Sequence, residues 1–147
     1  MILWQGLADP AISPVGTIAC YQAVQNFTGG AADTQAFVRL FMLPGVAHCG
    51  GRDGPDSFNG PGALMSWVEQ GQAPSSLLTG KVVSGAVTAT RPVYRYPLIA
   101  VDTTGGPVTE AASYTAKQPP VRFDGNVRWA GRFSPGYEQV GGWADGE

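Results

Sequence analysis

Two apolar runs separated by an amphipathic segment constrain the fold of this chain more than any other feature. Residues 1–4 and 37–43 read MILW and FVRLFML, which is typical of buried strands, the second covered on both faces. Between them, apolar residues recur at three- and four-residue spacing over residues 15–27 and predict a helix. A second helix is predicted over residues 61–71, with proline in its first turn and glycine at its end. The order strand, helix, strand, helix predicts an α/β fold with a parallel sheet and right-handed crossovers.

Each predicted strand runs into a loop that carries a residue suited to acid–base chemistry. GLADP, with Asp9, follows the first strand, and PGVAHCGG, with His48, the only histidine in the chain, follows the second. In the Ser-His-Asp mechanism the histidine takes the serine proton and the carboxylate fixes the imidazole tautomer. In α/β-hydrolases the acid precedes the histidine and both lie in loops after late strands. Asp9 and His48 match that order, but the 147 residues contain no Gly-x-Ser-x-Gly sequence for the nucleophile.

Each of these residues also has a simpler interpretation, which the local sequence leaves open. Asp9 precedes a proline, where aspartate is a common turn former, and His48 taken alone fits a loop histidine bonded to nearby backbone. Cys49 fits a small buried apolar residue, and Cys20, in the middle of the first helix, is predicted to be one. One histidine beside one cysteine cannot easily reach a single ion together, so we predict no metal site.

Composition excludes two classes of partner. Charged residues make up 14% of the chain and its formal net charge is −2, so no basic surface is available for nucleic acid or for an anionic membrane. No apolar run approaches the roughly 20 residues that span a bilayer, and the first residues lack the order of a signal peptide. We therefore expect a soluble chain with no nucleic-acid partner and no membrane partner.

The character of the chain changes after residue 74. Residues 77–101 are rich in valine, threonine and tyrosine but are interrupted by glycine and proline at positions 80, 85, 92 and 97. We predict extended segments that wrap the domain rather than a sheet of their own. From residue 119 onward, turn-forming residues alternate with scattered aromatics, and this Gly- and Pro-rich tail has no predicted role. The sequence thus divides into residues 1–118 and 119–147.

Five segments together strongly resemble the C-terminal part of the tannase and feruloyl esterase family. They are GLADPAISP (6–14), RLFMLPGVAHCGG (39–51), GPDSF (54–58), WVEQGQAP (67–74) and RP (91–92). The resemblance covers roughly residues 2–118, and the HCGG sequence is its most specific part. It implies the C-terminal portion of an α/β-hydrolase catalytic domain, in which strands and helices of a mostly parallel sheet precede an extended, turn-rich segment.

The resemblance also implies roles for individual residues of this chain. Asp9 would be the acid of the triad, His48 its base, and Cys49 one half of a disulfide to a cysteine that precedes the nucleophilic serine. Ile12 is a candidate residue of the substrate pocket. The serine, its cysteine, the oxyanion-hole donors and a lid domain that carries calcium would lie upstream of Met1, so no cofactor is expected in this chain.

The implied protein is a secreted or periplasmic serine carboxylesterase that acts on aromatic esters, such as galloyl or feruloyl esters. This chain would supply its acid and base, would need the N-terminal part of the hydrolase domain as partner, and would be inactive alone. The family often has a further cysteine pair, but VYR (93–95) and YTA (114–116) occupy the matching positions here. The alternative is a noncatalytic chain or pseudoenzyme that binds a partner or an aromatic ligand. An in-frame Gly-Cys-Ser sequence upstream of Met1 would distinguish the two.

Overall fold

A pair of parallel strands forms the centre of the molecule. The computed structural model describes residues 1–120. Strand β1 is Ile2–Gly6, helix α1 is Pro14–Phe27, helix α2 is Ala31–Gln35, strand β2 is Arg39–Leu43 and helix α3 is Gly60–Gln70. β1 and β2 are parallel, and their register runs from Ile2 opposite Arg39 to Gly6 opposite Leu43. The two predicted strands, the two predicted helices and the parallel α/β arrangement are therefore confirmed.

Side chains along β1 and β2 alternate between two hydrophobic clusters, one on each face of the sheet. One cluster contains Leu3 and Leu40 and packs them against Ile18 and Tyr21 of α1. The other comprises buried Phe41, Leu43, Val46, Leu77 and Val93, with partly buried Ile2, Phe58 and Ala63 around them. Successive strand residues point to opposite faces, so a strand covered on both sides needs a nearly continuous apolar run, as at residues 40–43. The prediction that the second run is covered on both faces is confirmed.

Helix α1 turns only part of its surface to the core, and Cys20 lies outside that part. Ile18 and Tyr21 are buried, whereas Cys20 is exposed. With 3.6 residues per turn, position 20 lies more than a quarter-turn from both of these residues and on the far side of their common face. The prediction that Cys20 is a small buried residue is therefore wrong.

Residues 76–94 form a β-hairpin, which the sequence did not lead us to expect. Strand β3, Ser76–Val83, pairs antiparallel with strand β4, Ala86–Tyr94. The prediction of extended segments without a sheet was wrong because the supposed interruptions have places in a two-stranded ribbon. Ser84 and Gly85 form its two-residue turn with φ of 50° and 83°, the positive values that a favoured hairpin turn requires. Pro92 fits because each strand of such a ribbon has one edge that needs no backbone donor.

A second antiparallel pair completes the described fold. Strand β5 is Ile99–Asp102, strand β6 is Tyr114–Lys117, and a 3-10 turn at Ala111–Ser113 precedes β6. None of the helices among residues 1–120 combines the length and apolarity that a bilayer span requires. Residues 121–147, which include nearly all of the predicted tail, lie outside the described residues, and the boundary after residue 118 stays a prediction.

Candidate active site

Two loops leave the same edge of the β1–β2 sheet, because the carboxyl ends of parallel neighbouring strands lie together. We call residues 7–13, after β1, the acid loop, and residues 44–57, after β2, the histidine loop. The Leu7 N–H donates to the Leu43 carbonyl and the Ala8 N–H donates to the Val46 carbonyl, each at 2.9 Å. These backbone hydrogen bonds hold the two loops together. They bring Asp9 and His48, which are 39 positions apart in sequence, side by side.

Two glycines make the close backbone packing at this site sterically possible, Gly6 between β1 and the histidine loop and Gly54 within the histidine loop. A Cβ on Gly6, the last residue of β1, would lie 2.3 Å from the Val46 carbonyl oxygen. A Cβ on Gly54 would lie 2.1 Å from the Pro44 carbonyl oxygen, and the Gly54 N–H closes the histidine loop by donating to Gly45 at 3.0 Å. Both contacts are with backbone atoms, so a larger residue at either position would displace the loop itself.

Asp9 and His48 form the central contact of the site. The Asp9 Oδ2 atom lies 2.9 Å from the His48 Nδ1 atom, which is within hydrogen-bonding distance. The Asp9 side chain is only 3% exposed, while that of His48 is 47% exposed. Because an ionised carboxylate can only accept hydrogen bonds, Nδ1 must carry the shared hydrogen. In the neutral ring Nε2 is then the proton acceptor, and within residues 1–120 no protein group hydrogen-bonds to it.

Four donors keep Asp9 in its ionised form. The Ala11 and Ile12 backbone N–H groups donate to Oδ1 at 2.8 and 3.0 Å. The Gln5 amide donates to Oδ2 at 2.7 Å, and the fourth donor, His48 Nδ1, shares that oxygen. Burial acts to raise the pKa of Asp9, but the hydrogen bonds from Ile12, His48, Ala11 and Gln5 outweigh it and hold that pKa well below its ordinary value of 3.8. The site therefore contains an ionised carboxylate that is hydrogen-bonded to Nδ1 of the His48 imidazole.

The other two predicted site residues lie on the same loops. The Ile12 side chain is 52% exposed, and its place in a substrate pocket stays a prediction. Cys49, next to His48, is exposed and has a left-handed φ of 59°. Within the described residues neither Cys49 nor Cys20 forms a disulfide, and the pairing of Cys49 with a cysteine of another segment stays a prediction.

The β3–β4 hairpin holds the far end of the histidine loop. Ser57 and Gly80 exchange two backbone hydrogen bonds of 3.0 and 2.7 Å. The Lys81 ammonium donates to the Arg52 carbonyl and, at 3.4 Å, to the Gly54 carbonyl. The element that the sequence did not predict thus fixes the loop that carries His48.

Gln5 was not predicted from the sequence as a partner of Asp9. The available signal was a polar side chain inside an otherwise apolar strand, four residues before the acid. That spacing is informative only when the turn after β1 is known, because the turn brings Gln5 and Asp9 together. Among residues 1–120, no group of three or more His, Cys, Asp or Glu side chains is placed to hold a metal ion.

Known proteins are similar to this chain in sequence and in fold. A family model described as tannase and feruloyl esterase matches residues 1–117. A probable feruloyl esterase from Arthroderma benhamiae is 41% identical over 103 residues, which are 67% of this chain and 19% of that protein. A mono(2-hydroxyethyl) terephthalate hydrolase from Piscinibacter sakaiensis is 35% identical over 123 residues, 82% of this chain and 20% of that protein.

The solved structures agree at the level of the fold. The crystal structure of feruloyl esterase B from Aspergillus oryzae matches 79% of this chain with a TM-score of 0.75 and 24% identity, and the match covers 26% of that chain. The present chain spans about a fifth of the length of the two curated relatives. It therefore corresponds to one part of a larger architecture in those proteins.

Proposed function

Since this chain belongs to the tannase and feruloyl esterase family, we propose that it supplies the acid and the base of a serine carboxylesterase with a partial α/β-hydrolase fold. One observation supports this most directly. The buried Asp9 carboxylate accepts the His48 Nδ1 hydrogen, while Nε2 has no protein partner within residues 1–120. A serine hydroxyl needs an imidazole that is oriented in this way and is open on its second nitrogen.

The roles of the two residues follow from their hydrogen bonds. His48 Nε2 removes the proton of the serine hydroxyl as that oxygen attacks the ester carbonyl, and later returns the proton to the leaving alcohol. The adjacent Asp9 charge stabilises the imidazolium that forms between these steps and keeps the ring in the productive tautomer. The His48 side chain is about half exposed, and in this proposal the serine and the ester approach it on the Nε2 side.

The nucleophile and the oxyanion-hole donors come from polypeptide outside these 147 residues. The sequence contains no Gly-x-Ser-x-Gly element, and the curated relatives are about five times as long as the matching region. Residues 1–118 are then the C-terminal portion of a hydrolase domain, which is completed by a serine-bearing segment. No step of this proposal requires a metal or a cofactor bound to this chain.

The substrates that we propose are esters of aromatic acids. The two curated relatives are named for feruloyl and terephthalate esters, and both of these acyl groups contain a benzene ring. Ile12, on the acid loop beside Asp9, is a candidate for contact with such a ring because its side chain is about half exposed. An apolar, exposed side chain at the mouth of a site is suited to bind an aromatic surface.

We also place the complete protein outside the cytoplasm, in a secreted or periplasmic setting. Cys49 is exposed directly beside His48, where a disulfide to the serine-bearing segment would fix the distance between the two catalytic loops. Such a bond persists only in oxidising compartments. Titration of free thiols in the 147-residue chain and in the polypeptide extended upstream would test this, with Cys49 reactive in the first and protected in the second.

Ester hydrolysis tests the proposed function. The 147-residue chain should hydrolyse p-nitrophenyl acetate and methyl gallate no faster than its His48→Ala variant, because the imidazole has no serine to activate. Joined in one polypeptide to the serine-bearing segment, the same chain should hydrolyse both esters. His48→Ala should then reduce kcat on the order of 10⁴-fold or more, since triad members act as a unit.

A control variant makes the test specific. Asp53→Ala removes an exposed carboxylate from the histidine loop and should leave the rate within about twofold of the unaltered protein, whereas Asp9→Ala should not. A His48-dependent rate in the 147-residue chain alone would show that the nucleophile is present after all. Hydrolysis by the longer polypeptide that survives His48→Ala would refute the assigned base.

A further inference from the structure

Among residues 1–120, Gln5 is the only residue of the β1–β2 sheet whose side chain hydrogen-bonds to Asp9. It lies on β1, paired with Met42 of β2, and its amide nitrogen donates to Asp9 Oδ2 at 2.7 Å. The same oxygen accepts the His48 hydrogen at 2.9 Å. Gln5 and His48 therefore share one carboxylate oxygen, and Gln5 approaches it from the rigid strand rather than from a loop.

The surroundings of the Gln5 amide fix which of its two ends faces Asp9. Besides Asp9, the nitrogen lies 3.3 Å from the Ile12 carbonyl oxygen and 3.5 Å from the Gly6 carbonyl oxygen. All three neighbours are acceptors without a hydrogen to give, so the NH₂ end must face them. At the opposite end, the Thr17 hydroxyl of α1 donates to the Gln5 carbonyl oxygen at 3.2 Å.

We propose that Gln5, held by Thr17, is a positioning residue that orients the Asp9 carboxylate toward His48. The acid loop alone holds the carboxylate at one oxygen, through the Ala11 and Ile12 N–H groups on Oδ1. A group held at one oxygen can still turn and carry the other away from the imidazole. The Gln5 amide supplies the second fixed point, at Oδ2. The series Thr17, Gln5, Asp9 and His48 links helix, strand and both loops.

The inference rests on the proposed function for its catalytic meaning, but its structural content can be tested without any hydrolysis. His48 is the only histidine of the chain, so selective ¹⁵N-histidine labelling gives a single imidazole to observe by NMR. In the unaltered 147-residue chain we expect one Nδ1 proton signal that is protected from exchange with water. Absence of this signal would contradict the proposal at the outset.

Replacement of Gln5 and of Thr17 should weaken this signal in a graded way. Gln5→Met keeps a side chain of similar length without the amide, and the Nδ1 proton should exchange about tenfold faster or its signal should be lost, as expected when a supporting hydrogen bond is removed. Thr17→Val should act in the same direction because the hydroxyl is lost at nearly constant volume. Thr17→Ser restores the hydroxyl and should return the exchange rate to within about twofold of the original.

Thr28→Val is the matched control. Thr28 ends the same helix, and its hydroxyl bonds to the Val24 carbonyl and to Thr34, far from Asp9. If Thr28→Val changes the His48 signal as much as Thr17→Val does, general loosening of α1 explains the effect and the proposal is wrong. An unchanged signal in folded Gln5→Met also overturns it, and Thr17→Val decides the matter if Gln5→Met fails to fold.

Activity in the longer polypeptide separates this inference from the proposed function. Gln5→Met should lower kcat by about ten- to a hundredfold with little change in KM, since a misplaced carboxylate affects the proton transfer rather than ester binding. If the His48 signal responds to Gln5 and Thr17 but the longer polypeptide hydrolyses no ester, the positioning stands and the esterase proposal fails. If hydrolysis depends on His48 but neither readout responds to Gln5, the positioning fails and the esterase proposal stands.

Discussion

Gly6, the last residue of β1, packs directly against the backbone of the histidine loop. A methyl group there would overlap the Val46 and Ala47 carbonyl oxygens, at 2.3 and 2.6 Å from Cβ. We predict that Gly6→Ala destabilises the chain by about 1–3 kcal/mol, the usual cost of overpacking a tight site. It should also lengthen the Asp9–His48 contact, because the obstructing atoms belong to the backbone of the histidine loop.

Urea unfolding and the His48 Nδ1 proton signal together measure both effects. Gly16→Ala is the control, since Gly16 lies in α1 with no atom within 4 Å of the added Cβ. That change should stabilise the helix by about 0.5–1 kcal/mol. If Gly6→Ala has the same urea midpoint as the unaltered chain and leaves the Nδ1 signal unchanged, the two loops can separate without cost.

Asp9 gives the fold a defined dependence on pH. Hydrogen bonds hold the pKa of Asp9 below its ordinary value of 3.8, so the folded state binds this proton less readily than the unfolded state does. Such a group stabilises the fold above the unfolded pKa and loses that contribution as the pH falls through the folded pKa. We therefore predict that Asp9→Asn lowers the urea midpoint near pH 7, and that the difference shrinks steadily below about pH 4.

Asp53→Asn, which removes an exposed carboxylate from the histidine loop, shows the effect of losing one negative charge alone. A difference between Asp9→Asn and the unaltered chain that stays constant between about pH 7 and about pH 3 would contradict the prediction. In that case the hydrogen bonds to Asp9 would not favour its ionised form over the unfolded reference.

At the scale of elements, local pattern predicted the central strands and helices but not the hairpin. The run over residues 37–43 identifies β2 because a strand covered on both faces is apolar along most of its length, and here residues 40–43 follow Arg39 without a polar residue. Gly85 and Pro92 counted against strands in the sequence, yet Gly85 lies in the hairpin turn and Pro92 lies within β4, paired with Leu78 of β3. Whether such residues break a strand or fit it depends on its pairing partner, which the local sequence does not contain.

The candidate site divides in the same way. Asp9 and His48 could be predicted because each follows a recognisable strand, and parallel strands place their following loops side by side. Gln5, Thr17 and Lys81 could not, since their contacts arise from packing between elements that are distant in sequence or separated by a turn. Residues that react can be read from a motif, whereas residues that hold them in place depend on the assembled structure.

The hairpin contributes to the site through Lys81, and this contribution can be measured. Lys81→Met keeps the apolar stem of the side chain but removes the ammonium that bonds the Arg52 and Gly54 carbonyls. We predict a loss of about 1 kcal/mol in stability and faster hydrogen exchange at the Gly54 amide, which closes the histidine loop onto Gly45. Lys117→Met, on the exposed strand β6, should change neither quantity.

At the scale of the whole molecule, we expect the open edge of β1 to govern association in solution. Within residues 1–120, β1 pairs only with β2, so its other edge presents unpaired backbone groups. Trp4 on this strand is 40% exposed, and Met65 and Val68 of α3 are 56% and 76% exposed. Parallel strands are normally buried, and an uncovered strand edge is a surface on which further strands assemble.

We therefore predict that the 147-residue chain self-associates and that its unfolding is broad. Size-exclusion chromatography with light scattering should give a mass above 15.3 kDa that rises with concentration. Trp4→Lys places a charge in the middle of the open strand and should reduce association, because charged side chains block edge pairing. Val87→Lys, at a 62% exposed position on the hairpin, should not. Joining the serine-bearing segment should abolish association as well, since that segment would cover the β1 edge. A monomeric 147-residue chain with a sharp, cooperative unfolding transition would contradict the prediction and show a self-sufficient domain.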